Sequence, residues 1–173
     1  EAGTTILQAA RMIGGESVPP AMCYYSKLKG TGGKCRCCLV DVTKGSEADP
    51  RPMPKLVASC VTGCQDGMEI ASKSSERVTE ARKAVTEFLL INHPLDCPVC
   101  DQAGECDLQN LSFEHGKSET RFIEEKRTFE PEDIGDKIQL HMNRCIVCQR
   151  CVEVADQLTD GRVHGVLNRG DHS

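Results

Sequence analysis

Tryptophan is absent from this 173-residue chain and aromatics make up only 3% of it, so a core built on large rings is excluded. Domains this short of big side chains lean on disulfides or bound metals, and the compartment decides which. Long apolar runs are missing too. No window approaches the eighteen apolar residues of a membrane span, and Glu1 to Arg11 carries no basic segment leading into an apolar stretch. Neither a span nor a secretion signal is therefore read here, which sets the default at a reduced, cytosol-like compartment, although a chain opening on Glu leaves room for a targeting segment upstream. A basic surplus is also lacking: the net charge is -5, with basic residues spread among acidic ones. That speaks against a nucleic-acid partner, which selects for a positive face. Cysteine is what the chain has in quantity, 12 in all.

The densest stretch is His93-Pro94-Leu95-Asp96-Cys97-Pro98-Val99-Cys100-Asp101-Gln102-Ala103-Gly104-Glu105-Cys106. One imidazole and three thiols this close are soft ligands for a metal. Cys97-x2-Cys100 sets two sulfurs side by side, and Gly104 lets the return to Cys106 wrap closely. Three readings compete: a structural zinc, a disulfide framework and an iron-sulfur cluster. Zinc sites usually offer two separated ligand pairs, and neighbouring thiols without a secretion signal argue against disulfides. The rest of the chain must decide.

Upstream, Thr4 and Thr5 precede Ile6, Leu7, Ala10 and Ile13 at helical spacing, with Gly14-Gly15 as a stop, which predicts a short amphipathic helix. The glycine-rich stretch from Cys23 to Cys38 is not a phosphate loop: the Walker form needs glycine where Leu28 stands, and the dinucleotide form needs one at Cys35. Gly30, Gly32 and Gly33 instead allow backbone N-H groups to approach thiolates. Leu39 to Val42 reads as a strand, Leu56 to Ser59 as its return, and Met68 to Ile70 as one more. The polar, proline-bearing segment from Thr43 to Lys55 reads as a surface excursion. The spacing Cys23-x11-Cys35-x2-Cys38-x21-Cys60 has the general layout of plant-type [2Fe-2S] binding, with a longer first gap. Cys64 could replace Cys60 as fourth ligand, and Cys37 reads as a thiol facing away from the metal.

Ser74 to Ile91 is the clearest helix, with a serine cap and with Val78, Ala81, Val85, Phe88 and Leu89 on one face. It ends at Pro94 and presents His93. Asp107 to Asn110 reads as a helical turn. His115 and His141 lack companion ligands and read as surface or core residues. Finally Cys145-x2-Cys148-x2-Cys151 is the run typical of [4Fe-4S] loops, but its usual fourth cysteine position is Ala155, so a fourth ligand lies outside the chain or the site is incomplete. Three such sets in one reduced acidic chain favour iron-sulfur binding, and several clusters imply electron transfer.

On these motifs the chain resembles the large iron-sulfur subunit family of NADH:quinone oxidoreductase, respiratory complex I. The likeness is carried by Cys23 with Cys35-Arg36-Cys37-Cys38-Leu39-Val40, by His93 to Asp101 with Gly104 to Gln109, and by Arg144-Cys145-Ile146-Val147-Cys148-Gln149-Arg150-Cys151. It implies an α+β architecture: a β-grasp [2Fe-2S] ferredoxin-like domain over 1–72, its first hairpin lying before Glu1, then small loop- and helix-rich [4Fe-4S] domains over 73–115 and 116–173, the last truncated. It implies one [2Fe-2S] cluster on Cys23, Cys35, Cys38 and Cys60, and a [4Fe-4S] cluster on His93, Cys97, Cys100 and Cys106. A second [4Fe-4S] site, on Cys145, Cys148 and Cys151, would be incomplete. No catalytic residue is expected. Partners would be the flavin- and NADH-binding subunit and downstream iron-sulfur subunits of a peripheral arm. That arm stands on the cytoplasmic side of a bacterial inner membrane, or the matrix side in a mitochondrion. Diaphorase iron-sulfur subunits of NAD-linked hydrogenases and formate dehydrogenases are similar through Cys106 and form the alternative.

Overall fold

In the computed structural model, which describes residues 3–168, the chain divides into two units. The first holds the residues up to Arg82 together with those from Val147 on, and the second is Lys83–Ile146.

The first unit begins with α1, Ile6–Ile13. Thr5 caps it: its hydroxyl accepts from the Gln8 N-H at 3.3 Å while Gln8 Oε1 accepts from the Thr5 N-H at 2.9 Å. The first helical N-H groups, which have no partner inside a helix, donate outward, Ile6 to Thr62 O and Leu7 to Ser59 O, both at 2.9 Å. The helix is thereby stitched to the segment that carries Cys60. Ile6 and Leu7 are buried, whereas Ile13 is exposed.

The strand β1, Leu39–Lys44, lies between β2, Val57–Ala58, and β3, Glu69–Ala71, both antiparallel to it. Val40 pairs with Val57 and Val42 with Ile70, and the register shifts between Val42 and Lys44. Val40 and Val42 are fully buried and pack with Ile6, Met53, Val57, Cys64 and Met68. Burial of a side chain of this size contributes about 1.5–3 kcal/mol relative to exposure. The residue between them, Asp41, is buried too. It accepts from Ser75 Oγ at 2.9 Å and pairs with Arg77 at 3.3 Å, so its charge is compensated. The proline-bearing excursion returns beside the sheet, where the Met53 N-H donates to Val42 O at 3.0 Å.

The predicted long helix is α2, Glu76–Leu90, whose turns up to Arg82 belong to the first unit. Two details depart from the expectation. Ser75 turns its hydroxyl to Asp41. The most buried positions are Val78, Arg82 and Thr86, four residues apart, while Phe88 is 71% exposed. Phe88 sits about a third of a turn from that stripe. Arg82, 2% exposed, donates to Leu39 O at 3.2 Å and Ser72 Oγ at 2.8 Å. A charged residue therefore occupies the stripe that apolar counting assigned to Phe88. The remaining turns of α2 open the second unit, which continues with α3, Asp107–His115, and a small hairpin of β4, Glu132–Asp133, and β5, Gln139–Leu140. The helix α3 runs five residues beyond the turn expected to end at Asn110, with Leu108 and Leu111 buried. Back in the first unit, α4, Arg150–Leu158, follows the last cysteine run. No helix among the described residues is long and apolar enough to cross a membrane.

Candidate metal centres

The first set of thiols forms where the loop before β1 meets the turn after β2. Cys23, Cys35, Cys38 and Cys60 are all buried. The Sγ atoms of Cys38 and Cys60 are 3.3 Å apart, about half an ångström inside the separation of two sulfurs on one tetrahedral metal with bonds of roughly 2.3 Å. Backbone donors converge on the same sulfurs: Gly33 N-H on Cys60 Sγ at 3.1 Å, and the N-H groups of Lys34 and Cys35 on Cys23 Sγ at 3.4 Å each. Gly32 makes this approach possible. Its φ is +111°, and a Cβ there would stand 3.3 Å from both Cys60 Sγ and Val61 Cγ1. The loop is braced from α4: Lys34 Nζ meets Glu153 Oε1 at 3.1 Å, and the Gln157 amide exchanges hydrogen bonds with the Lys29 backbone, each at 3.3 Å.

The four thiols share their protons unevenly. Hydrogen bonds from Cys35 and then Cys60 hold Cys23 far below the ordinary thiol range, and the Cys60 thiol brings Cys38 down to about 6 against the cost of burial. Cys35 and Cys60, as the donating partners, are pushed up. Two of the four sulfurs are thus favoured in the thiolate form, in which sulfur ligates. Of the two doubtful thiols, Cys37 adjoins this exchange, since it hydrogen-bonds to Cys35 and helps to push that thiol up, whereas Cys64 lies elsewhere. Cys64 packs with Ile6, Val40 and Met68 and lines a cleft between α1 and β3, its N-H donating to Thr4 O at 2.9 Å. Cys37 Sγ lies 3.7 Å from Met22 Sδ and from Cys35 O. Arg36 between these thiols has φ +62°, a turn that spacing alone does not reveal.

The second set lies wholly in the second unit. His93 follows the end of α2, and its Nδ1 lies 3.0 Å from Pro94 O. A carbonyl can only accept, so Nδ1 carries the proton and Nε2 keeps its lone pair for a metal. Burial holds this imidazole below its usual pKa. The Pro94 carbonyl opposes that, Lys126 and Arg144 lower it further and Asp96 raises it. The ring is therefore neutral near pH 7, as a ligand must be. Cys97 to Val99 form a short 3-10 turn, with the Cys100 N-H closing on Cys97 O at 3.3 Å. Gly104, at φ +85°, turns the chain back, and Cys106 leads directly into α3. The Arg144 guanidinium meets Asp96 at 3.3 Å beside the turn. These thiols are more open than the first set: Cys97 is exposed and Cys100 and Cys106 are half-buried.

Of the last run, Cys145 closes a 3-10 turn over Met142–Arg144, and Cys151 lies in the first turn of α4. Val147 and Gln149, on either side of Cys148, take φ +53° and +61°. A β-branched residue in that region is a local outlier, which marks the loop as held in shape by its surroundings.

Among the described residues none of these cysteines is joined in a disulfide. Among the described residues no three His, Cys, Asp or Glu side chains converge as one mononuclear ion would require. A two-iron cluster takes its thiolates two to an iron, and a four-iron cluster takes one ligand at each corner. The paired sulfurs and aimed N-H donors of the first set fit the former, and the spread wrap of the second fits the latter. His115 is half-buried next to Glu114, and His141 is half-buried. What sequence reasoning missed is Lys126. Its Nζ donates to Leu90 O, Ile91 O and His93 O at 2.8, 2.9 and 2.8 Å, and no motif marks a lysine this far along the chain.

Fold and thiol sets together define an iron-sulfur protein of ferredoxin-like modules. Three family models match in succession: a 2Fe-2S iron-sulfur cluster binding domain over residues 1–75, the NADH-ubiquinone oxidoreductase-G iron-sulfur binding region over 82–121, and the ferredoxin-like domain of NADH-quinone oxidoreductase subunit 3 over 135–173. The chain is 46% identical to the mitochondrial NADH-ubiquinone oxidoreductase 78 kDa subunit of Candida albicans, over 99% of its length and 22% of the relative's. It is 43% identical to the G subunit of NADH-quinone oxidoreductase from Rickettsia felis, over 98% of its length and 24% of the relative's. It thus spans about a quarter of the length of these curated relatives. A crystal structure of an NAD+-reducing [NiFe]-hydrogenase matches with a TM-score of 0.81 at 29% identity, over 98% of this chain and 66% of that one. The chain belongs to the family of NADH-quinone oxidoreductase G subunits, the 78 kDa iron-sulfur subunit of mitochondria among them.

Proposed function

We propose that this chain conducts electrons singly within an NADH:quinone oxidoreductase, from the flavin- and NADH-binding subunit to downstream iron-sulfur subunits and so toward quinone. Cys23, Cys35, Cys38 and Cys60 hold a [2Fe-2S] cluster in a domain over 1–72. His93, Cys97, Cys100 and Cys106 hold a [4Fe-4S] cluster in a domain over 73–115. Cys145, Cys148 and Cys151 supply three ligands of a second [4Fe-4S] cluster in a domain over 116–173, the fourth coming from outside this chain. Bound clusters supply the one-electron change. The residues set its energetics: N-H groups at Gly33, Lys34 and Cys35 stabilise sulfur charge, and the neutral His93 ring places one negative charge fewer at its site than a thiolate. The protein sits peripherally on the cytoplasmic side of a bacterial inner membrane, or the matrix side in a mitochondrion.

The observation that carries this reading is the gathering of Cys38 and Cys60 to 3.3 Å with backbone donors aimed at Cys60 and Cys23. The hydrogenase likeness favours one second reading, a diaphorase iron-sulfur subunit; the identities above 40% over nearly the whole chain support the first. Anaerobically purified protein is expected to contain iron and acid-labile sulfide in matching amounts and to show EPR signals on reduction. Zinc without sulfide overturns the proposal. In the assembled enzyme, NADH is expected to bring up those signals without hydrogen, whereas reduction of the clusters by hydrogen would move the assignment to the second reading.

Gly32→Ala provides a sharper test of the first centre. The added methyl group meets Cys60 Sγ and Val61 at 3.3 Å on a backbone at φ +111°, a strain of about 1–3 kcal/mol before any contact is counted. The expected result is selective loss of the [2Fe-2S] signal, with the [4Fe-4S] signals kept. Full retention would show that the loop does not need its close approach to the sulfur.

A further inference from the structure

We propose that Lys126 is a positioning and charge-setting residue for the histidine-ligated centre, an inference that rests on the ligand reading given for His93. An ammonium has three N-H donors and no acceptor. Lys126 directs all three at backbone carbonyls where α2 ends, Leu90 O, Ile91 O and His93 O, at 2.8 to 2.9 Å. The last carbonyls of a helix have no partner inside it and form the negative end of its dipole. Here that end points toward the residue that presents the imidazole. The third acceptor belongs to His93 itself, so the backbone carrying the ring is tied to a fixed point. The next residue, Arg127, adds to the strap, its N-H donating to Asn92 Oδ1 at 3.2 Å.

The charge has no local counterweight. The charged groups that face His93 are Lys126, Asp96 and Arg144, and the last two pair with each other at 3.3 Å. Lys126 has no carboxylate partner among the described residues. Two effects then act in one direction. The ammonium neutralises the negative helix end, and it supplies a net positive charge beside a group that gains negative charge on reduction. Both favour the reduced state, because a nearby positive charge lowers the cost of adding an electron, and at a half-buried site it is screened less than in bulk water.

The test compares Lys126→Gln, which can donate two hydrogen bonds but carries no charge, with Lys126→Arg, which keeps the charge and the donors. Each is made in the full-length protein purified anaerobically with its clusters. Redox-poised EPR reports the midpoint, and pulsed EPR reports the imidazole nitrogen coupled to the cluster. Lys126→Gln is expected to lower the ratio of reduced to oxidised cluster at least threefold at a fixed poise, or to remove the nitrogen coupling. Lys126→Arg is expected to preserve both. A Gln variant matching the parent in midpoint and coupling overturns the proposal. So does equal loss of the cluster in both variants, which would show that lysine's shape matters and its charge does not. Absence of nitrogen coupling in the parent protein overturns the His93 assignment itself, a distinct result.

Discussion

Cys60→Ala is expected to abolish the [2Fe-2S] EPR signal, and Cys64→Ala to leave it at parental intensity. The two thiols are only four residues apart, yet their surroundings separate them. Cys60 is buried at 3.3 Å from Cys38 Sγ and accepts the Gly33 N-H at 3.1 Å. Removing it takes away one of the four proposed ligands and leaves an N-H donor aimed at nothing, and a [2Fe-2S] cluster held by four thiolates has no spare ligand. Cys64 belongs to the cluster of Ile6, Val40 and Val42, where its sulfur behaves as a small apolar group. Its replacement by alanine costs packing alone, on the order of 1 kcal/mol. Iron and sulfide analysis alongside EPR checks both variants. The reverse pattern, with Cys64→Ala losing the signal, would require the turn after β2 to present its other thiol.

Why spacing could not decide between these thiols is clear from what holds the turn. The N-H groups of Ile6 and Leu7 donate to Thr62 O and Ser59 O, and Cys64 N-H donates to Thr4 O. Those bonds join segments more than fifty residues apart, so no local pattern contains them. The ligand-rich loops were legible for the opposite reason: soft donors at gaps of two, three and five residues are rare unless they serve a metal. The three strands of the first sheet were legible as short apolar runs, but the place of β3 beside β1 was not. The length of α3 and the start of α4 at Arg150 were not. In α4 the attention drawn by Cys145, Cys148 and Cys151 hid an ordinary helical stripe in which only Val152 is buried. Phe88 misled because a helix face was assigned by counting apolar residues. The actual face is centred on Arg82, whose guanidinium finds Leu39 O and Ser72 Oγ. A buried guanidinium with hydrogen-bond partners outweighs an aromatic ring in fixing that helix, and composition cannot show whether such partners exist.

His93→Cys is expected to move the midpoint of the histidine-ligated [4Fe-4S] cluster to more negative potential, by about 100 mV or more if the difference between imidazole- and thiolate-bound [2Fe-2S] centres is a guide. The sign follows from charge. A neutral ring gives way to a thiolate, the cluster with its ligands becomes one unit more negative, and adding an electron becomes less favourable. The structure supports neutrality of the ring through burial, which depresses its pKa against the opposing Pro94 carbonyl, and the Nδ1 contact with that carbonyl fixes the tautomer that leaves Nε2 to bind as a lone-pair donor. A cysteine side chain is shorter than a histidine, so the loop from Pro94 to Cys97 must close inward for the new thiolate to bind. His93→Ala separates that movement from the electronic effect, because free imidazole can fill the space the ring has left. Added imidazole is expected to restore the parental midpoint to the alanine variant and to leave the cysteine variant unchanged. An intact cluster whose midpoint is the same with His, Cys or Ala at this position would remove His93 from the ligand set. The wrap of Cys97, Cys100 and Cys106 would then have to find its fourth donor elsewhere.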